Sequence, residues 1–158
     1  MLYIAIDPGL NGGIAHGWNG QEIEAVKMPV IKNDGKKTID VFVLSLFINR
    51  LLMSYKCGAG STITAVEKVH AMPGQGVTSM FTFGRGFGLI EGILAGKHFP
   101  YELIRPQTWQ SVLGGIDKSL GKKRSIVYCQ QRHPQLGKLT DGQADAVAML
   151  DYLVQRGK

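Results

Sequence analysis

Asp7, Glu67, Asp141 and Asp145 are the residues of this chain best placed to do chemistry together. Asp7 follows the apolar run Leu2 to Ile6, and Glu67 follows the β-branched run Ile63 to Val66. Asp141 and Asp145 are four residues apart in a segment of helical periodicity, so they share one helix face. Clustered carboxylates repel at neutral pH unless a cation neutralises them. Hard oxygen donors suit Mg2+ or Mn2+ rather than zinc. Each acid also has a plainer role open to it: Asp7 as a turn former, Asp141 as a partner of the helix dipole. Glu67 resists such a reading, because an acid closing a buried strand needs a partner. Asp145 resists it too, lying between Ala144 and Ala146 on the face that packs. Asp40, Glu91, Asp117 and Asp151 have no comparable setting.

Positioning these acids requires strands that end together and a helix that crosses them. Residues 2–6, 13–18 and 22–28 read as three antiparallel strands, with Asn19-Gly20 as a hairpin turn, since both residues tolerate positive φ. Residues 31–38 are polar and basic and read as a loop. Thr38 or Asp40 caps a helix carrying Val41, Leu44, Phe47, Ile48, Leu51 and Leu52 at helical period. Residues 63–66 form a central strand, His70 to Gly76 a loop, and Thr78 or Ser79 begins a helix reaching Gly96. Tyr101 to Ile104 form a fifth strand. Pro106 starts a short helix with Trp109, read as core, and Val112, and Gly114-Gly115 end it. A basic helix over 118–132 follows. The last helix starts at Thr140, with Gln143 completing a capping box. The order is β-β-β-α-β-α-β-α-α-α, an α/β domain spanning 1–158.

Charge is concentrated. The net charge is +6, and residues 118–140 hold six basic residues and no acid, while the remainder has twelve of each sign. Lys118, Lys122, Lys123 and Arg124 belong to this block, which suits contact with a phosphate backbone or, more plainly, a solvated helix face. Cys57 and Cys129 have no metal-ligand spacing. No stretch reads as a signal peptide or membrane span, and the two lone cysteines suit a reducing compartment, so an intracellular setting, the cytoplasm or an organelle, is expected. Gly84, Gly88, Gly92 and Gly96 recur every fourth residue, a stripe that lets a helix approach another backbone closely. With Phe83, Phe87, Ile90 and Leu94 beside it, the stripe suits either a homodimer or packing on the chain's own sheet.

The segments AIDPGLNGGIA, VEKVHAMPGQG, FGRGFGLIEGILAG, RPQTWQ with the lysine-rich stretch after it, and DGQADAVAML occur in this order along essentially the whole chain. Together they resemble RuvC-type Holliday junction resolvases. The resemblance implies an RNase H-like mixed five-stranded sheet, three strands antiparallel and then two parallel, flanked by helices. It also implies a homodimer and paired cuts in a four-way DNA junction, with two Mg2+ (or Mn2+) ions per site. By resemblance Asp7, Glu67 and Asp145 are metal ligands, lysines of the basic block contact phosphates, and His70 stands where the family often places a residue stacking on a base. The family carries an acid or histidine three residues before the final aspartate. Here that position is Gly142, and Asp141 serves from one residue earlier. Other readings are a flap or branched-DNA nuclease, an RNA–DNA hybrid nuclease with the same acids, and a silent DNA-binding protein. A sugar kinase or chaperone-like ATPase would need a second phosphate-binding lobe, for which the chain has no room.

Overall fold

The computed structural model describes residues 1–70, 74 and 76–157. In chain order the elements are β1 (Leu2–Asp7), β2 (Gly13–Trp18), β3 (Gln21–Lys27), β4 (Val30–Asn33), β5 (Lys36–Ile39), α1 (Val41–Ser54), β6 (Thr62–Glu67), α2 (Val77–Gly96), β7 (Tyr101–Ile104), α3 (Pro106–Trp109), α4 (Arg124–Arg132) and α5 (Asp141–Arg156). Short 3-10 turns join several of them.

β1 is apolar as far as Ile6 because both of its faces are covered. Leu2, Ile4 and Ile6 alternate onto one side and pack with Leu44, Ile48 and Leu51 of α1 and Ile90 and Leu94 of α2. Tyr3 and Ala5 point to the other side, where Ala144, Val147, Ala148 and Leu150 of α5 cover them. Small residues meet small ones here, Ala5, Ala15 and Ala65 against the alanines of α5, so the last helix lies close on the sheet. The result is helix, sheet, helix in three layers.

The sheet has the order β3-β2-β1-β6-β7. β3, β2 and β1 are antiparallel, and β6 and β7 continue parallel to β1, the mixed five-stranded sheet expected. Asn19 and Gly20 both take positive φ, as a tight hairpin turn between right-twisted strands requires. Asp40 caps α1 by accepting the Val43 amide at 3.0 Å. Thr140 and Gln143 form the expected capping box, and the Gln143 amide also donates to the Ala25 carbonyl, fastening α5 to β3.

Three expectations are corrected. The basic stretch 31–38 is a β-hairpin, β4 with β5, turned at Asp34-Gly35, both at positive φ. The single basic helix over 118–132 is divided: Lys118–Lys123 form a 3-10 segment, Gly121 takes a positive φ that α-helix cannot continue, and α4 begins only at Arg124. Asp151 is a buried residue of α5 after all, accepting the Tyr128 hydroxyl at 2.7 Å and paired with His133 Nε2 at 2.6 Å. It ties α4 and its C-terminal turn to the last helix. The loop expected across 70–76 falls largely outside the described residues. Among the described residues no helix is long and apolar enough to cross a membrane.

Candidate active site

Parallel pairing of β1 with β6 sets Ile6 beside Val66, so the acids that follow, Asp7 and Glu67, emerge at the same sheet end. The Asp7 turn doubles back at once: the Gly9 amide donates to Asp7 Oδ1 at 3.3 Å and the Gly12 amide to the Gly9 carbonyl at 2.8 Å. Gly12 then meets Gly142 in a bridge between the turn and the start of α5. That contact is backbone on backbone. A Cβ at Gly142 would stand 2.4 Å from both the Asn11 carbonyl oxygen and Gly12 Cα. The close approach leaves no room for a side chain at position 142, and Asp141 is the acid at the helix start.

The four acids form a graded series of burial and repulsion. Glu67 is pushed up to about 7, chiefly by burial and then by the negative charge of Asp7, while a hydrogen bond from Trp109 Nε1 at 2.9 Å partly offsets this. Asp7 is pushed up to about 6 by burial, with the Gly9 amide opposing and Asp145 adding repulsion. Asp145 is also raised by burial, against the lowering effects of the Ser125 hydroxyl and Lys122, with Asp141 adding its charge. Asp141 is exposed. Asp7, Asp141 and Asp145 line one cavity of about 740 Å³. Glu67 lies outside its lining and joins the set through its repulsion with Asp7 and Asp145.

Trp109 is almost fully buried, as a core residue should be, yet its indole N–H is spent on Glu67. Pro106, two residues after the end of β7, starts the α3 turn that delivers it. Among the basic residues, Lys118, Lys122 and Arg124 line a smaller cavity of about 380 Å³ with Asp145 and Ser125. Lys123 is exposed and lines neither cavity, and the Arg124 guanidinium turns inward to donate to the Leu113 carbonyl at 3.3 Å. His70 is exposed three residues beyond Glu67.

The glycine stripe faces outward. A Cβ at Gly84, Gly88, Gly92 or Gly96 meets nothing within 4 Å, which removes packing on the chain's own sheet as its explanation. Ile90 and Leu94 are buried in the core and Phe87 is half-buried against it, so these side chains contribute less to the outer surface than their spacing suggests.

Two solved structures of RuvC from Thermus thermophilus superpose along almost the whole chain. One, described as RuvC in complex with Holliday junction substrate, matches with a TM-score of 0.61 and 15% identity, covering 99% of this chain and 96% of that one. The other, RuvC without that description, matches at 0.57 and 16%, covering 99% and 97%. The fold is that of RuvC. No family model and no curated protein matches the sequence. Within the RuvC fold, this chain's acids gather where β1, β6 and α5 converge.

The donor set suits a hard divalent cation: it is all carboxylate oxygen, and its raised proton affinity reflects burial first and mutual negative charge after it. As the side chains stand, no three acids, histidines or cysteines among the described residues draw together tightly enough to hold one ion.

That raised proton affinity has a thermodynamic consequence. In the folded, metal-free protein Glu67 and Asp7 hold protons up to about pH 7 and 6, whereas the unfolded chain releases them near the ordinary values of 4.5 and 3.8. Between these limits the folded state binds more protons, so stability falls as pH rises from 5 to 8, by on the order of 3 kcal/mol. Buried His16, whose pKa burial lowers, acts in the opposite sense. The test is therefore the difference between wild type and Glu67→Gln in urea melts: the variant is expected to lose much of the fall, and identical pH profiles would refute the assignment.

Proposed function

We propose that this protein is a divalent-metal-dependent endonuclease that cuts four-way DNA junctions as a homodimer. The observation that carries the reading is the set of Asp7, Glu67 and Asp145, each with raised proton affinity and mutually repelling, at one end of a RuvC-fold sheet beside Lys122. Fold likeness alone would not name a reaction. The acids supply the chemistry, and the basic residues beside them supply affinity for phosphate. A solved neighbour of the same fold is RuvC bound to a Holliday junction substrate, which favours branched DNA over other nucleic acids.

Asp7, central in the set, would with Glu67, Asp145 and Asp141 hold two Mg2+ or Mn2+ ions. Bound there, the ions would lower the pKa of the attacking water and stabilise the leaving oxygen, giving a 5′-phosphate and a 3′-hydroxyl. Trp109 fixes the Glu67 carboxylate through one oxygen. Lys122 stands near Asp145, where it can hold a phosphate of the bound strand, and Lys118 and Lys123 extend the basic surface. His70, exposed beyond Glu67, is available to stack on an unpaired base at the junction centre. The outward glycines Gly84, Gly88 and Gly92, with Phe87 at their edge, offer α2 to a second copy, which would set two sites on a symmetric substrate.

The test is cleavage of a labelled mobile four-way junction beside a linear duplex, with Mg2+ and with chelator. Paired, metal-dependent cuts in the junction are expected. Equal cutting of the duplex would remove junction selectivity, and no metal-dependent cutting of either would remove the nuclease reading.

A further inference from the structure

The β4–β5 hairpin rises beside the acids, and its basic tip is turned to the same cavity. Lys36 and Lys37 line that cavity together with Asp7, Asp141, Asp145 and Lys122. The hairpin is firmly seated. At its base the Met28 amide donates to the Gly12 carbonyl at 3.0 Å and the Asp40 amide to the Pro29 carbonyl at 2.9 Å, so it is joined directly to the Asp7 turn. Ile39 is buried and lies 3.1 Å from the position of a Cβ at Gly86 of α2, anchoring β5 beside that helix. The register sets Lys37 opposite Lys32 and Lys36 opposite Asn33.

This arrangement gives the acid cavity cations on two separate elements, Lys122 from the segment before α4 and Lys36 and Lys37 from the hairpin. The hairpin lysines do not serve the chain's own acids. The three ion pairs found among the described residues include neither of them, and Lys122 is the cation that lowers Asp145. Exposed ammonium groups held over an acid site without a carboxylate partner suit an anion that arrives with the substrate. A phosphodiester backbone supplies such anions on both sides of the bond to be cut.

We infer that the β4–β5 hairpin is a second phosphate-contacting wall, through which Lys36 and Lys37 hold the nucleic-acid strand over the acids opposite Lys122. The inference rests on the nuclease reading and adds the partner contacts that would orient the strand.

The test is binding of a labelled four-way DNA junction in chelator, where no cutting occurs, across about 50 to 200 mM salt. Lys36→Gln with Lys37→Gln is compared with wild type and with Arg50→Gln/Lys56→Gln, which removes equal charge from α1 and the turn after it. The hairpin variant is expected to bind roughly tenfold more weakly and to lower the salt slope by about 2, while the control pair stays near wild type. Both positions are exposed, so thermal melting should confirm an unaltered fold. A hairpin variant with wild-type affinity and slope, or a control that shifts as far, overturns the inference while the nuclease reading stands. A wild-type protein that neither binds nor cuts the junction overturns both.

Discussion

Asp7→Asn and Glu67→Gln are each expected to abolish metal-dependent cleavage while leaving junction binding within a few-fold of wild type. The two properties separate because they rest on different residues. Affinity for a junction comes from exposed lysines that these substitutions do not touch, and the loss of a negative charge beside them, if anything, favours phosphate. Catalysis rests on carboxylate charge. The amide variants keep the shape of the side chain and the Trp109 and Gly9 contacts can persist, yet the charge that would hold a cation is gone. A bound metal supplies several kcal/mol of transition-state stabilisation, so the rate should fall on the order of 10³-fold or more. Asp141→Asn should cost less, since Asp141 is exposed and lies at the edge of the set. Single-turnover cutting and gel-shift binding on the same junction measure both. Wild-type rates in either strong variant would sink the assignment of the acids, and a parallel collapse of binding would mean that the acids act by shaping the surface.

The sheet was legible in the sequence because its signals are local. Leu2 to Ile6 alternate between two buried faces and end in an acid followed by proline and glycine, and Asn19-Gly20 declares its turn. Thr140 with Gln143 marks the start of α5 for the same reason: both partners of the capping box lie within one turn. The β4–β5 hairpin was hidden because its strands are short, mostly exposed and without apolar alternation, although Asp34-Gly35 carried a turn signal. The interruption at Gly121 was hidden because the charges around it are spaced as they would be on a helix. Trp109 and Asp151 show a different limit. Their partners lie far along the chain, Glu67 for one and Tyr128 with His133 for the other, and nothing local distinguishes a tryptophan that only packs from one that also donates to a site acid.

Gly142→Ala is expected to damage both stability and activity, although position 142 carries no functional group. The added methyl would sit 2.4 Å from Asn11 O and Gly12 Cα and 2.7 Å from Gly12 C, all backbone atoms that cannot rotate away. The Asp7 turn and α5 must part, and Gly12, itself closed in by the Asp7 and Gly9 carbonyls, has no room to yield. Overpacking of this kind costs about 1–3 kcal/mol, with the upper end expected here because the Gly12–Gly142 bridge is also lost. The same separation moves Asp7 relative to Asp145, and a displacement of about 1 Å at a reacting site is worth roughly a hundredfold in rate. Gly96→Ala makes the identical chemical change at the end of α2, where the methyl meets nothing within 4 Å, and helix propensity favours alanine by up to about 1 kcal/mol. Urea melts of the two variants should therefore move in opposite directions. If they moved together, the contact between the Asp7 turn and α5 would not be what holds Asp7 and Asp145 in register.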